Sequence, residues 1–113
     1  MDKAYITIAG NRYRVEVNWN ALANFLTSIG EDNIAGLTRL DEFRVSQIPA
    51  LIAATIEEGE RLDGRETKLD PKDLGTVLNP YHLRQFMDIY TAHSRVWMEE
   101  EGDDSKKKDS PQP

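Results

Sequence analysis

Hydrophobic and polar residues alternate from Ala4 to Val17. The runs A-Y-I-T-I-A and R-Y-R-V-E-V both have period two, and Gly10-Asn11 lies between them. Period two is the signature of a half-buried strand, and both turn residues tolerate the positive φ of a two-residue hairpin. A Gly10-Asn11 turn pairs Ile8 with Tyr13, Ile6 with Val15 and Ala4 with Val17. All six then share one face, with Tyr5, Thr7, Arg14 and Glu16 on the other. A lone hairpin is marginal in water, so the apolar face is expected to pack on helices.

The period then lengthens. Asn18 is a good N-cap, and Leu22, Phe25, Leu26 and Ile29 fall at helical spacing, with Gly30 as the stop. Trp19, at the start of this helix, is expected to staple the hairpin to the bundle. Ile34, Leu37 and Leu40 suggest a short helix weakened by Gly36. Ser46 is expected to cap a longer one with Pro49 in its first turn. Its buried stripe is Ile48, Leu51, Ile52 and Ile56; Glu57, Glu58, Glu60 and Arg61 form a wet end that Gly59 frays. Asp63-Gly64-Arg65 reads as a turn. Asp70-Pro71 and Asn79-Pro80 each combine a cap with proline at the first helical position. They open a short helix ending near Leu78 and a final helix carrying Leu83, Phe86, Met87, Tyr90 and Trp97 on one face. The expected core is Leu22, Phe25, Leu26, Leu51, Ile52, Ile56, Leu83, Phe86 and Tyr90, with Ile6, Ile8 and Val15. A hairpin followed by four to five helices is an α+β fold. The expected division is one domain over 1–98 and a disordered tail over 99–113, where apolar patterning stops.

Length and composition narrow the class. The chain has 113 residues, 39% hydrophobic and 30% charged, and no cysteine. One domain of this size suits a soluble globular protein. Disulfides, thiol nucleophiles and cysteine-based metal sites are excluded. No stretch approaches the roughly 20 apolar residues of a membrane span. Met1-Asp2-Lys3-Ala4 lacks the basic and apolar regions of a signal peptide, so the expected location is the cytoplasm. The net charge of −6 argues against nucleic acid as a partner. Half of it sits in 99–113, where six acids face three lysines.

Candidate chemistry is sparse. His82 and His93 lie eleven residues apart on one expected helix, roughly 16 Å along its axis. They cannot share a metal, and both read as partly exposed surface residues. Glu57, Glu58 and Glu60 read as a solvated helix end rather than a metal or acid–base cluster. Asp70 and Asp73 are explained by helix capping. The scattered glycines form no phosphate-binding run, and no hydrolase or zinc-protease motif occurs. No catalytic, cofactor or metal residue is assigned. Val96, Trp97 and Met98 exceed what one core stripe needs and adjoin the charged tail. They are the candidate partner-binding residues.

The order of segments carries a resemblance. Y-I-T-I-A-G-N-R-Y-R-V-E-V-N-W-N-A-L, then I-P-A-L-I-A-A-T-I-E-E-G, then a short D-x-x-D-L helix and a final helix, resemble the phage tail assembly chaperones. The branch found in prophages and gene transfer agents is the most similar. The resemblance covers about residues 5 to 95 and departs in the polar connection from Arg61 to Lys68 and in the lysine-bearing tail. It implies a non-catalytic chaperone of the host cytoplasm that uses no cofactor. Such a chaperone coats the helix-rich tape measure protein before tail tube subunits polymerise. The implied partners are the tape measure and tail tube proteins, with self-association as a further option, and neither nucleic acid nor membrane. The mechanism would be packing of an apolar stripe against a partner helix. The alternatives are a structural tail or neck component retained in the virion, and a small phage-encoded enzyme or inhibitor. Many chaperones of this type are also made in a longer form by a programmed ribosomal frameshift. Lys106-Lys107-Lys108 lies where such a slip would fall, and the tail would then be a linker.

Overall fold

The computed structural model describes residues 3–40, 42 and 44–109, with side chains as far as Arg95. Strands β1 (Ala4–Ile8) and β2 (Asn11–Val15) form an antiparallel hairpin. Ala4 stands opposite Val15, Ile6 opposite Tyr13 and Ile8 opposite Asn11. The turn is Ala9-Gly10, with φ of 51° and 83°, the two positive values of a type I′ hairpin. The expected pairs Ile8–Tyr13, Ile6–Val15 and Ala4–Val17 are therefore corrected by two residues. A two-residue slip returns every side chain to its own face, so alternation alone cannot choose between these registers. Contacts outside the hairpin accompany the shorter pairing. Glu16 N–H donates to the Thr55 carbonyl at 3.0 Å, and Val17 N–H donates to His93 Nδ1 at 3.1 Å. Against them stands the left-handed Ala9, which costs about 1–3 kcal/mol.

Helix α1 (Trp19–Ser28) begins where the Asn18 side chain accepts the Ala21 N–H at 3.0 Å. It ends before Gly30 at φ 76°, as its spacing predicts. Asn33 caps the short α2 (Ile34–Thr38) by accepting the Gly36 N–H. Helix α3 (Ile48–Leu62) is preceded by a 3-10 turn, Val45–Gln47. Ser46 therefore lies inside that turn instead of capping α3. The Arg44 N–H is taken by the Gln47 side chain at 3.0 Å, and Gln47 occupies the cap position of α3. Asp70 caps α4 (Pro71–Val77). The Asn79 side chain accepts the Tyr81 and His82 N–H groups at the start of α5 (Pro80–Asp109). The backbone of α5 is helical to Asp109, through a segment whose composition predicts disorder. Asp103 and Asp104 precede Lys107 and Lys108 by four residues, the order that supports a helix.

The hairpin, α1 and α4 all contact α3, which is buried from Leu51 to Ile56. The core unites Ile6, Ile8 and Val15 with Phe25 and Leu26, Leu51, Ile52 and Ile56, and Phe86, as expected. Leu22 is buried too, and Tyr90 packs half-buried with its ring 6.0 Å from that of Phe86. Val17, on the apolar face of the hairpin as expected, joins this core, and Leu74 joins it unforeseen. Two expectations fail. Leu83 is 37% exposed and Trp19 69% exposed. Asn18 and Asn20 on either side of Trp19 both reach Glu58 of α3, which turns the indole away. Leu83 belongs to the first turn of α5, at the rim of a groove beside α3 and α4. No helix among the described residues is long and apolar enough to cross a membrane.

Candidate functional site

The acidic end of α3 is not wet. Glu58 is 2% exposed and Glu60 6%, which corrects the reading of Glu57, Glu58 and Glu60 as a solvated end. Nor does Gly59 fray the helix. A Cβ there would collide with the Arg14 carbonyl oxygen, so glycine lets β2 lie directly on α3. With the backbones this close, the flanking carboxylates become buried and must be paired. Arg61 grips Glu58 through Nε and Nη2 at 2.8 and 3.0 Å, and Asn18 donates to the same carboxylate at 2.7 Å. Arg65 grips Glu60 with two bonds of 2.9 Å, while the Arg14 N–H donates to Glu60 at 3.0 Å. Asp63 binds Arg14 Nη1 at 2.6 Å and Lys3 at 3.1 Å. These hydrogen bonds hold the carboxylates below their usual pKa: Arg61 acts on Glu58, Arg65 on Glu60, and Lys3 then Arg14 on Asp63. The sequence signal was an acid at 58 followed by Arg61 and an acid at 60 followed by Arg65. It was legible only as surface pairing without the burial that Gly59 creates.

The loop after α3 crosses back over this network. Its Leu69 N–H donates to Glu57 at 2.9 Å. Between loop and helix runs a groove of about 510 Å³ lined by Asn24, Glu57, Glu58, Arg61 and residues 64–68. Glu58 and Arg61 in its wall are already paired with each other, so it reads as a clamp that fastens the hairpin and α1 to α3.

A second groove differs in chemistry. The 3-10 turn supplies Val45; the start of α3 supplies Ile48, Pro49 and Ile52. The end of α4 contributes Gly75 and Leu78, and the start of α5 contributes Asn79, Pro80 and Leu83. It encloses about 250 Å³. It lies beside the break between α4 and α5, where Leu78 is extended (φ −72°, ψ 149°) and α5 begins at Pro80. Val45 at 88% and Leu83 at 37% exposure leave apolar surface open at its rim.

The side chains of Val96, Trp97 and Met98 lie outside the described residues; their backbone belongs to α5. The histidines part company. His82 is half-exposed, its Nδ1 accepting the Asn79 N–H at 3.1 Å. His93 is only 5% exposed, which corrects the surface reading. It takes the N–H of Val17, two residues beyond the last pair of the hairpin, and so closes the open end of the ladder. Burial holds its pKa below the usual value. Among the described residues no three His, Asp or Glu side chains are grouped to hold a metal ion. Comparison with known proteins returned no matching family model, no matching curated protein and no matching solved structure.

Proposed function

We propose that this chain is a non-catalytic tail assembly chaperone of the phage and prophage type, acting in the host cytoplasm on the tape measure and tail tube proteins. The resemblance of its segment order supports that assignment. The observation that carries the binding mode is the apolar groove between Val45, the start of α3, the end of α4 and Leu83. An amphipathic helix of the tape measure protein fits such a surface, laying apolar side chains at helical spacing along it. The acidic charge of the chain keeps the complex soluble and disfavours nucleic acid. This reading moves the binding face from Val96, Trp97 and Met98 to the opposite end of α5.

Co-expression with a phage tape measure protein tests the proposal. The tagged chain should co-purify with that partner, and Val45→Asp or Leu83→Asp should abolish capture with little change in melting temperature. Capture unaffected by both substitutions would remove the groove from the mechanism. No capture by the wild-type chain would remove the chaperone role. Mass spectrometry of purified particles distinguishes a chaperone, which is left behind, from a tail component, which is retained.

A further inference from the structure

The two edges of the hairpin are treated differently. Opposed residues of an antiparallel pair alternate between those that exchange hydrogen bonds and those whose N–H and C=O point away from the partner strand. Arg14 is of the second kind. Its N–H leaves the sheet for the Glu60 carboxylate and its carbonyl abuts Gly59. Glu16, two residues on, sends its N–H to Thr55. The outer edge of β2 is thus closed by α3 from Arg14 onward. Arg14 stands opposite Tyr5 and Arg12 opposite Thr7. By the same alternation Tyr5 and Thr7 turn their N–H and C=O groups outward on the far side. The sheet has only two strands, and no described residue bonds those backbone groups.

Proteins usually guard such an edge with charge, proline or a bulge. The segment Ala4 to Ala9 contains no charged residue, no proline and no glycine. The flanking Lys3 is drawn to Asp63 at 3.1 Å. We propose that β1 is a self-association strand: a second copy of the chain adds its own β1 antiparallel across a two-fold axis, making one four-stranded sheet. The outward positions are the odd-numbered ones. Pairing centred on Ile6 therefore sets Tyr5 against Thr7 of the second copy, twice.

Charge favours a copy as the occupant. Uncharged side chains meet uncharged side chains along the whole seam. The nearest cations are already engaged: Lys3 and Arg14 with Asp63, and Arg12 over the Tyr5 ring at 3.9 Å. Two five-residue strands bury less than the roughly 1,200 Å² of a stable interface, so association sets in only at high protein concentration. The proposal stands apart from the chaperone reading, since it concerns the opposite side of β1 from β2 and not the groove.

Sedimentation velocity over a rising concentration series at about 0.15 M salt, where the Debye length is near 8 Å, tests it. The expected mass climbs from 12.9 kDa towards twice that value. Thr7→Pro removes an outward N–H while leaving every bond within the hairpin, a position where strands tolerate proline. It should remain at monomer mass with unchanged circular dichroism. Should that variant fail to fold, Thr7→Lys places a charge on the same edge and should also remain monomeric. A wild-type chain that stays at monomer mass up to several hundred micromolar overturns the proposal. A folded variant that still doubles in mass does so equally.

Discussion

At the scale of single residues, His93 and Glu58 show how a polar group becomes part of a core. His93 Nδ1 accepts the Val17 N–H, so a proton at that atom removes the acceptor and leaves a cation in a buried site. Desolvation lowers its pKa; the nearby Glu16 carboxylate opposes this shift and Arg14 adds to it. The unfolded chain, with a histidine pKa of about 6.5, therefore takes up the proton first. The stability contributed by neutral His93 is complete above about pH 6.5 and declines as pH falls through the lower folded value. Glu58 and Glu60, lowered chiefly by Arg61 and Arg65, respond later. Their contribution is present above about pH 4.3 and is lost below it. The melting temperature should fall in two stages on acidification. His93→Asn offers an Oδ1 acceptor that does not titrate and should erase the first stage alone. A wild-type profile flat between about pH 7 and pH 5 would contradict the assignment.

At the scale of elements, the legible and the illegible divide by what pattern can encode. Alternation from Ala4 to Val17 specifies two strands and their faces, yet a two-residue slip preserves both. The register is accompanied by contacts from Thr55 to Glu16 and from His93 to Val17, both far along the chain. Cap-and-proline pairs mark α4 and α5 closely because their bonds are local. Burial of the α3 acids depends on Gly59 meeting Arg14, and nothing local in the sequence announces that meeting. Leu83 belongs with Phe86 and Tyr90 by spacing but stands at the open rim of the groove. This contrast predicts different costs. Phe86→Ala should lose about 3–5 kcal/mol, since the side chain is fully enclosed. Leu83→Ala should lose about 1 kcal/mol or less, because much of its surface is already in water. Urea denaturation with unchanged slopes would measure both. Equal losses would mean that the groove is closed in solution.

At the scale of the whole molecule, stability and charge reside in different places. Every buried core side chain among the described residues lies between Ile6 and His93, whereas half of the net charge of −6 lies in 99–113. The folded unit should therefore not depend on that segment. Ending the chain at Met98 should shift the melting temperature by no more than about 3 °C, the change that roughly 0.5 kcal/mol produces in a domain of this size. Solubility near neutral pH should fall as net repulsion is halved. A larger loss of stability would show that the helical segment beyond Met98 docks back on the domain. Ending the chain at Arg95 instead removes Val96, Trp97 and Met98 while leaving the groove at Leu83 untouched. If the groove carries partner binding, both shortened chains should capture the tape measure protein as well as the intact chain does. Capture retained by the first and lost by the second would return the binding face to Trp97 and its neighbours.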